Sequence, residues 1–163
     1  MNNEKDLIKW EKSAKLDEKD MKILKILDKH ARYSIAEISK KTGIQRDSVI
    51  YRIKKMEEKS VIRFYHAVLN PSALGYEIYA DVNFVLHNLT PEKEEKLLDY
   101  LISHKNIVYV AKVTGKWDLV TYTIAKNLKE FDEILTEIRM RFSGIIKEYE
   151  TASILQEYKY AQI

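Results

Sequence analysis

The stretch SIAEISKKTGIQRDSVIYRIKKMEEK, residues 34–59, decides the fold of the first half of the chain. It opens with SIAE (34–37), a capping box in which the Ser34 hydroxyl and the Glu37 carboxylate satisfy opposite backbone amides at a helix start. Gly43 then ends this short helix, because a left-handed backbone is needed there. The next segment has a predicted buried stripe of three apolar residues, Val49, Ile53 and Met56. Two short helices joined by a tight glycine turn form the helix-turn-helix arrangement.

The outer face of the helix after Gly43 is predicted to contact DNA. Steps of about 100° per residue from the buried stripe place its other side chains away from the core, and a helix in the major groove contacts bases near its N-terminus and phosphates along its flanks. The candidate base-reading residues are Arg46, Asp47, Ser48 and Tyr51. The candidate phosphate contacts are Arg52, Lys54 and Lys55. The alternatives are an ordinary solvated helix face and, for Arg52, a role in holding the helix in place.

Two further elements are predicted beside this motif. Asp17 is predicted to cap a preceding helix that runs to about His30, with acidic side chains in its first turn. After the motif, residues 61–68 are mostly β-branched or aromatic, a composition typical of a strand. Three helices followed by a strand indicate a winged helix-turn-helix domain.

The charge of the chain differs between its two halves. Residues 1–66 contain 17 Lys and Arg against 11 Asp and Glu, whereas residues 67–163 contain 11 against 14. The first half therefore has a net charge of +6 and the second half a net charge of −3. This asymmetry favours a polyanion as the partner of the first half alone.

The domain boundaries follow from changes of pattern along the chain. Residues 1–15 are an N-terminal extension, either an added helix or a basic arm, and residues 16–66 are the winged helix-turn-helix domain. A proline and a glycine mark residues 67–75 as a linker. Residues 76–163 are predicted to be a second domain that binds an effector and oligomerises.

The second domain alternates strand and helix patterns. Strands are predicted at residues 77–86, 107–113, 117–124 and 145–155. Thr90 and Pro91 begin one helix, and Asn127 begins another. The buried stripe of the latter is predicted to contain Leu128, Phe131, Leu135, Ile138 and Phe142. The order β-α-β-β-α-β predicts an α+β fold whose second domain is ferredoxin-like, with two helices on one face of an antiparallel sheet.

The other face of that sheet is predicted to be open to a partner. Tyr79 and Asp81 point to this face together with other residues of mixed polarity. An extended open face is commonly covered by a second subunit, so we expect a homodimer and a higher even oligomer.

Composition excludes several classes of protein. The 163 residues contain no cysteine, which rules out disulfides and cysteine-ligated metal sites. The longest apolar run has five residues, far below the roughly 18 of a membrane-spanning helix, so we expect no membrane partner and a cytoplasmic location. The sequence shows no phosphate-binding glycine loop, no Ser-His-Asp constellation and no metal-ligand spacing among its four histidines, His30, His66, His87 and His104. We therefore expect no catalytic residue, metal or cofactor.

Six short motifs lie along residues 16–158. They are LDEKD (16–20), ARYS (31–34), RI (52–53), VI (61–62), LG (74–75) and TGKWD (114–118). In these motifs the chain resembles the Lrp/AsnC family of transcriptional regulators, also called feast/famine regulators. The resemblance implies a winged helix-turn-helix domain that binds double-stranded DNA, followed by a ferredoxin-like domain that dimerises and often assembles further.

The resemblance also implies a small-molecule site. In this family, amino acids bind between subunits near a Gly-x-aromatic-Asp turn, which is formed here by Gly115, Trp117 and Asp118. The expected effector contacts are Thr114, Gly115, Lys116, Trp117 and Asp118. Asp118 suits an effector ammonium, and Lys116 suits its carboxylate. The structural alternative is a glycine that permits the turn, a core tryptophan and an aspartate that caps a strand end.

Two positions depart from the family pattern. Gln45 stands where many members have serine, so the cap of the recognition helix is open, and Asp47 is a second candidate for it. Ser60 stands where the family usually has glycine.

Two other functions fit the same architecture. Siroheme decarboxylases share it, but they carry a histidine-rich signature in the central hairpin, where this chain has Tyr109, Lys112 and Trp117. We therefore expect a regulator and not an enzyme. An architectural DNA-binding protein without an effector is the other alternative, and the sequence does not separate it from a regulator.

Overall fold

The computed structural model describes residues 13–159, which form two compact units that divide between Val68 and Leu69. Most of the predicted N-terminal extension lies outside the described residues. The first unit contains three helices, α1 (Glu18–Lys29), α2 (Ile35–Thr42) and α3 (Arg46–Glu58). No helix among residues 13–159 combines the length and the apolar composition that a membrane span requires.

The starts and ends of these helices depend on a few polar residues and one glycine. Asp17 caps α1, and its Oδ1 accepts a hydrogen bond from the Asp20 amide at 2.9 Å. At α2, the Glu37 carboxylate accepts a hydrogen bond from the Ser34 amide at 2.8 Å, which completes the predicted capping box. Gly43 follows α2 with a φ of +71°, a left-handed conformation that glycine adopts without steric cost. The predicted helix-turn-helix is confirmed.

A small apolar core joins the three helices. Its buried members are Ile23, Ile38, Ile44, Val49 and Met56, and Ile53 packs against them. Val49 is fully inaccessible to solvent, and Met56 is 2% exposed. The predicted stripe of α3 therefore faces inwards, which directs the opposite side of the helix to solvent.

Residues 61–68 do not form the predicted strand. Ser60 turns the chain with a left-handed φ of +55°, and the amides of Val61 and Ile62 donate to the Met56 carbonyl at 2.8 and 3.2 Å. These two residues then pack on the helical core, while Phe64 is about half exposed. A strand needs a neighbouring strand for its backbone hydrogen bonds, and no other described residue of this unit lies in one.

The second unit is an antiparallel sheet with two helices, preceded by a short 3-10 helix (Ser72–Leu74). Its elements are β1 (Ile78–Leu86), α4 (Pro91–Ser103), β2 (Ile107–Lys112), β3 (Leu119–Ala125), α5 (Leu128–Arg141) and β4 (Ile146–Ser153). The strand order is β2-β3-β1-β4, and each neighbouring pair is antiparallel. The predicted β-α-β-β-α-β arrangement and the α+β class are confirmed.

One face of the sheet forms the core with the two helices. Phe84 of β1, Leu101 of α4 and Ile138 of α5 are each almost completely buried in it. The prediction that Leu128 belongs to the buried stripe of α5 is wrong, because its side chain is 72% exposed. At 100° per residue, Leu128 lies about 50° from the centre of the other four predicted positions, outside all of them, and it is the first residue of α5. Ile134, 6% exposed, is buried instead.

The connection between β2 and β3 is longer than the predicted turn of residues 114–116. β2 ends at Lys112 and β3 begins at Leu119, so Trp117 lies in the connection and not in a strand. The Val113 amide donates to the Asp118 carbonyl at 3.0 Å and closes this loop. The effector residues expected from the sequence therefore all lie between the two strands.

Candidate nucleic-acid interface and effector turn

The outer face of α3 carries most of the candidate DNA contacts into solvent. The exposed members are Arg46, Asp47, Tyr51, Lys54 and Lys55, and Tyr51 is 64% exposed. The Lys55 Nζ lies 5.7 Å from the centre of the Tyr51 ring, and the Lys54 Nζ lies 4.0 Å from a Glu58 oxygen. These contacts are weak and exposed, so both ammonium groups are available to an external phosphate.

Two further side chains on this helix were not among the sequence candidates. Gln45 is the N-cap of α3, but its side chain makes no capping hydrogen bond and is exposed. Ile50 is 50% exposed although it is aliphatic. An amide can pair with an adenine edge and an aliphatic group can contact a thymine methyl. The signal for Ile50 was its position outside the Val49, Ile53 and Met56 stripe.

Arg52 is bound within the first unit. Its Nη1 lies 2.8 Å from Oδ1 of Asp17 and 2.6 Å from Oδ1 of Asp20, and its Nε donates to the Ser48 hydroxyl at 3.4 Å. The side chains of Arg52 and Asp20 are only 20% and 15% exposed. Arg52 therefore joins the middle of α3 to the N-terminus of α1.

The charges in this group stabilise one another. The carboxylates of Asp20 and Asp17 raise the pKa of Arg52 above its ordinary value. The pKa of Asp17 is lowered, first by the hydrogen bond from the Asp20 amide and then by the hydrogen bond from Arg52. Both shifts favour the ion pair, which removes Arg52 from the set of unengaged cations on α3.

Gly115 determines the shape of the loop between β2 and β3. Its φ of +117° lies in a region that other residues rarely adopt, so a side chain here would strain the backbone. Thr114, Gly115 and Lys116 are exposed, and Trp117 is partly buried. Thr114 to Asp118 are thus together in one accessible loop.

Asp118 caps the end of β1. Its Oδ2 accepts a hydrogen bond from the Leu86 amide at 2.7 Å, and its own amide donates to the Phe84 carbonyl at 2.9 Å. This is the strand-capping role given above as the structural alternative. The residue remains exposed, and the Leu86 bond uses only one of its two carboxylate oxygens.

Lys116 is also in contact with neighbouring side chains. Its Nζ lies 2.9 Å from Oε2 of Glu150 on β4 and 3.9 Å from the centre of the Trp117 ring. The side chains of Lys116 and Glu150 are 65% and 59% exposed, so their ion pair is weak. An external carboxylate can compete for Lys116 at low cost.

Comparison with known families accounts for both units. Residues 16–63 match the winged helix-turn-helix DNA-binding family, and residues 80–163 match the Lrp/AsnC ligand binding domain. The chain belongs to the Lrp/AsnC family. The resemblance seen in the sequence motifs is therefore confirmed.

Relatives of this Lrp/AsnC chain are named as transcriptional regulators. HTH-type transcriptional regulator FL11 of Pyrococcus abyssi is 37% identical over 123 residues, which cover 76% of this chain and 80% of the relative. HTH-type transcriptional regulator Ptr1 of Methanocaldococcus jannaschii is 36% identical over 122 residues, which cover 75% and 80%. The crystal structure of transcriptional regulator NMB0573 of Neisseria meningitidis in complex with L-Met has a TM-score of 0.81, with 18% identity and coverage of 90% of this chain and 94% of that chain.

Proposed function

We propose that this chain is a sequence-specific transcriptional regulator that inserts α3 into the major groove of double-stranded DNA and acts in the cytoplasm. The observation that carries this proposal is the outer face of α3, where charged and aromatic side chains are exposed on a capped helix-turn-helix with a rigid core. A DNA-binding helix has the same division, with a buried stripe and an exposed reading face. The two named relatives support this assignment.

We assign the side chains of α3 to three roles. Side chains at the N-terminal half read bases, and these are Gln45, Arg46, Asp47, Ser48, Ile50 and Tyr51. Lys54 and Lys55 contact phosphates. Arg52 positions α3 through Asp17 and Asp20 and is not assigned to a phosphate, because the bound guanidinium would have to break two ion pairs.

The phosphate role is tested by the salt dependence of DNA affinity. Fluorescence anisotropy with a labelled duplex should show affinity falling steeply as salt rises, because phosphate contacts release counterions. Lys55→Ala should weaken binding to every duplex and reduce the slope of log affinity against log salt by about one. Lys129→Ala is the matched control, since Lys129 is 86% exposed on α5 in the other unit. Equal slopes for Lys55→Ala and wild type would exclude Lys55 as a phosphate contact.

We propose that the chain functions as a homodimer, and as a higher even oligomer of such dimers, through its second unit. The face of the sheet opposite α4 and α5 is the surface we assign to the dimer contact. A dimer presents two copies of α3, so the operator should contain two half-sites about 10 bp, or a multiple of this, apart. Footprinting on a natural operator tests this spacing. Protection of a single uninterrupted half-site would contradict a dimeric reader.

We propose that the loop of residues 114–118 binds a free amino acid as effector. We assign the effector ammonium to Oδ1 of Asp118, because Oδ2 already accepts from the Leu86 amide, and we assign the effector carboxylate to Lys116. The complex of NMB0573 with L-Met supports an amino acid as the ligand class. A charge-assisted bond of this kind contributes roughly 1.5 to 3 kcal/mol, or about tenfold to a hundredfold in affinity.

Calorimetry against a panel of amino acids tests the effector proposal. Asp118→Asn keeps an oxygen for the Leu86 amide and removes only the charge, so we expect it to lose about tenfold to a hundredfold in ligand affinity without loss of stability. Glu133→Gln is the matched control for an exposed carboxylate, since the Glu133 side chain on α5 is 63% exposed. Equal heats for wild type and Asp118→Asn would remove Asp118 from the site. No heat with any amino acid in wild type would favour the architectural function.

A further inference from the structure

The open face of the sheet has a regular arrangement set by the strand register. Asp81 on β1 is opposite Tyr122 on β3 and Ala152 on β4, and Tyr122 is opposite Tyr109 on β2. The next row contains Ala111, Val120, Asn83 and Glu150. Asp81 therefore lies near the middle of this face, on one of the two central strands.

Aromatic rings surround this central carboxylate. The Tyr122 ring stacks on Tyr109, with ring centres 4.8 Å apart, and meets Tyr79 edge-on at 5.8 Å. The centre of the face is thus an aromatic and small-residue surface of the kind that a protein partner buries.

Two polar oxygens on the face are already shielded from solvent. Oδ1 of Asp81 and Oδ1 of Asn83 are inaccessible, and neither has a hydrogen-bond partner among the described residues. A shielded acceptor without a donor costs roughly 1 to 3 kcal/mol, so a partner that covers this face must supply donors or change the charge of the carboxyl.

At the paired strand positions of the described residues, the open face has acidic side chains and no basic one. Glu148 and Glu150 on β4 are in register with Val85 and Asn83 and so share the face with Asp81. Lys112 is in register with core-facing Leu119 and pairs with Glu94 of α4, on the opposite side of the sheet. Lys116 reaches this face from the loop between β2 and β3, and its Nζ lies 2.9 Å from Oε2 of Glu150.

A symmetric dimer brings two copies of the same face together. Each Asp81 would then meet aromatic rings and the acidic residues of the second copy, with no central cation to pair with it. Burial of an ionised carboxylate under these conditions is strongly unfavourable, whereas a protonated carboxyl is neutral and donates a hydrogen bond. That donor can serve a shielded Asn83 oxygen.

We propose that Asp81 makes the pairing of two chains through the open sheet face proton-linked, so that the dimer tightens when Asp81 takes up a proton. This inference rests on the dimer proposed above and adds its regulation. The interface would then respond to pH through a residue outside the proposed effector loop at 114–118.

The single chain already shows the beginning of this effect. Burial raises the pKa of Asp81 above its ordinary value. Burial first, and then Asp81 and Tyr109, also raise the pKa of Tyr122. The groups that face Asp81 are Tyr79 and Asn83 on β1, Tyr122 on β3, Tyr109 on β2, and Glu150 on β4. A second copy adds desolvation and like charge, and both raise a carboxyl pKa further.

The sign of the pH dependence follows from proton uptake. The pKa of Asp81 is higher in the dimer than in the monomer, so the dimer binds more protons between these two values. Association therefore tightens as pH falls through the dimer pKa and levels off below the monomer pKa. For each proton taken up per dimer, the dissociation constant should fall about tenfold per pH unit in this window.

The test is the dimer dissociation constant of the full chain, measured by sedimentation velocity between about pH 8 and about pH 5. Wild type should associate more tightly at the acidic end. Asp81→Asn, which is neutral at every pH, should be tight and insensitive to pH, and Asp81→Ala should give the same flat profile. Asp99→Asn, at an exposed position on α4, is the control and should keep the wild-type slope.

The outcomes separate this inference from the proposed dimer. A dimer whose affinity does not change with pH, or an Asp81→Asn variant with the wild-type slope, overturns the role of Asp81 and leaves the dimer intact. Chains that stay monomeric at every pH, wild type and Asp81→Asn alike, overturn the proposed dimer and this inference with it.

Discussion

The two units of this chain differ in how their candidate functional residues relate to the fold. On α3, the side chains proposed to contact DNA make few contacts within the chain, and Lys54 and Lys55 have only weak neighbours. In the loop between β2 and β3, Asp118 holds the Leu86 amide and Lys116 holds Glu150. The proposed DNA contacts on α3 have little other role in the fold, whereas Asp118 and Lys116 also hold neighbouring residues of the second unit.

This difference shows which proposed surface one chain forms by itself and which one needs a second chain. One chain forms each α3 face by itself, because the helix-turn-helix core already fixes the helix. The second unit has an open sheet face where two shielded oxygens have no hydrogen-bond partner among the described residues, and its proposed dimer contact depends on a second copy.

The largest effect is expected from a cavity in the first core. Met56→Ala removes a side chain that is 2% exposed and should cost about 2–5 kcal/mol of stability. Because the two apolar cores are separate clusters, hydrogen exchange should accelerate in α3 and stay slow in β1. Met140→Ala, at a position 76% exposed, is the control with little expected change. An equal loss of protection in β1 would show that the two cores do not unfold independently.

The next effect concerns base recognition on α3. Tyr51→Ala should change the preference among operator variants by about tenfold to a hundredfold at the base pair that Tyr51 contacts, since one base contact is worth roughly 1–3 kcal/mol. Binding of wild type and variant to a panel of single-base operator substitutions measures this. Tyr158→Ala, at a position 93% exposed in the second unit, is the control. A uniform loss over all operators would assign Tyr51 to the backbone contacts.

A smaller effect is expected at Arg52, which joins α3 to the N-terminus of α1. Arg52→Ala should lower the melting temperature by a few degrees, and Arg52→Lys should restore part of the loss. The pKa of Asp17 is lowered in the folded chain, so the ion pair stabilises it above the ordinary aspartate pKa of about 3.9 and is lost as pH falls through the lower folded value. The difference in melting temperature between wild type and Arg52→Ala should therefore be largest at neutral pH and shrink as pH falls below about 3.9. A difference that persists in acid would show that packing, and not charge, holds α3.

The smallest effect is expected at Lys116. Lys116→Ala should change the free energy of unfolding by less than about 1 kcal/mol, because the ion pair with Glu150 is exposed on both sides. Urea unfolding at low and high salt measures this change. A larger loss would mean that the fold depends on Lys116 and would sharpen the contrast between the two sites.

Local sequence pattern predicted what depends on neighbours along the chain. The capping box at Ser34 and Glu37, the glycine turn and the stripe of α3 all involve residues within a few positions of one another. The hydrogen bond from the Leu86 amide to Asp118 joins residues 32 positions apart, so the pattern did not distinguish a strand cap from a ligand contact. The same holds for Arg52, which meets Asp17 across 35 positions.

The predicted strand at 61–68 was wrong for a related reason. Its β-branched and aromatic composition is real, but a strand forms only where a second strand accepts its hydrogen bonds, and that information is not local. Leu128 was misassigned because its position on the helix wheel is at the margin of the stripe.

Lysine footprinting of the chain with and without operator DNA tests the central claim most directly. Acetylation of each lysine, read by mass spectrometry, reports whether its ammonium group is covered. We predict that DNA slows acetylation of Lys54 and Lys55 on α3 and leaves Lys112 and Lys129 of the second unit unchanged. Protection of Lys112 and Lys129 together with full reactivity of Lys54 and Lys55, in a chain that binds the duplex, would contradict the account.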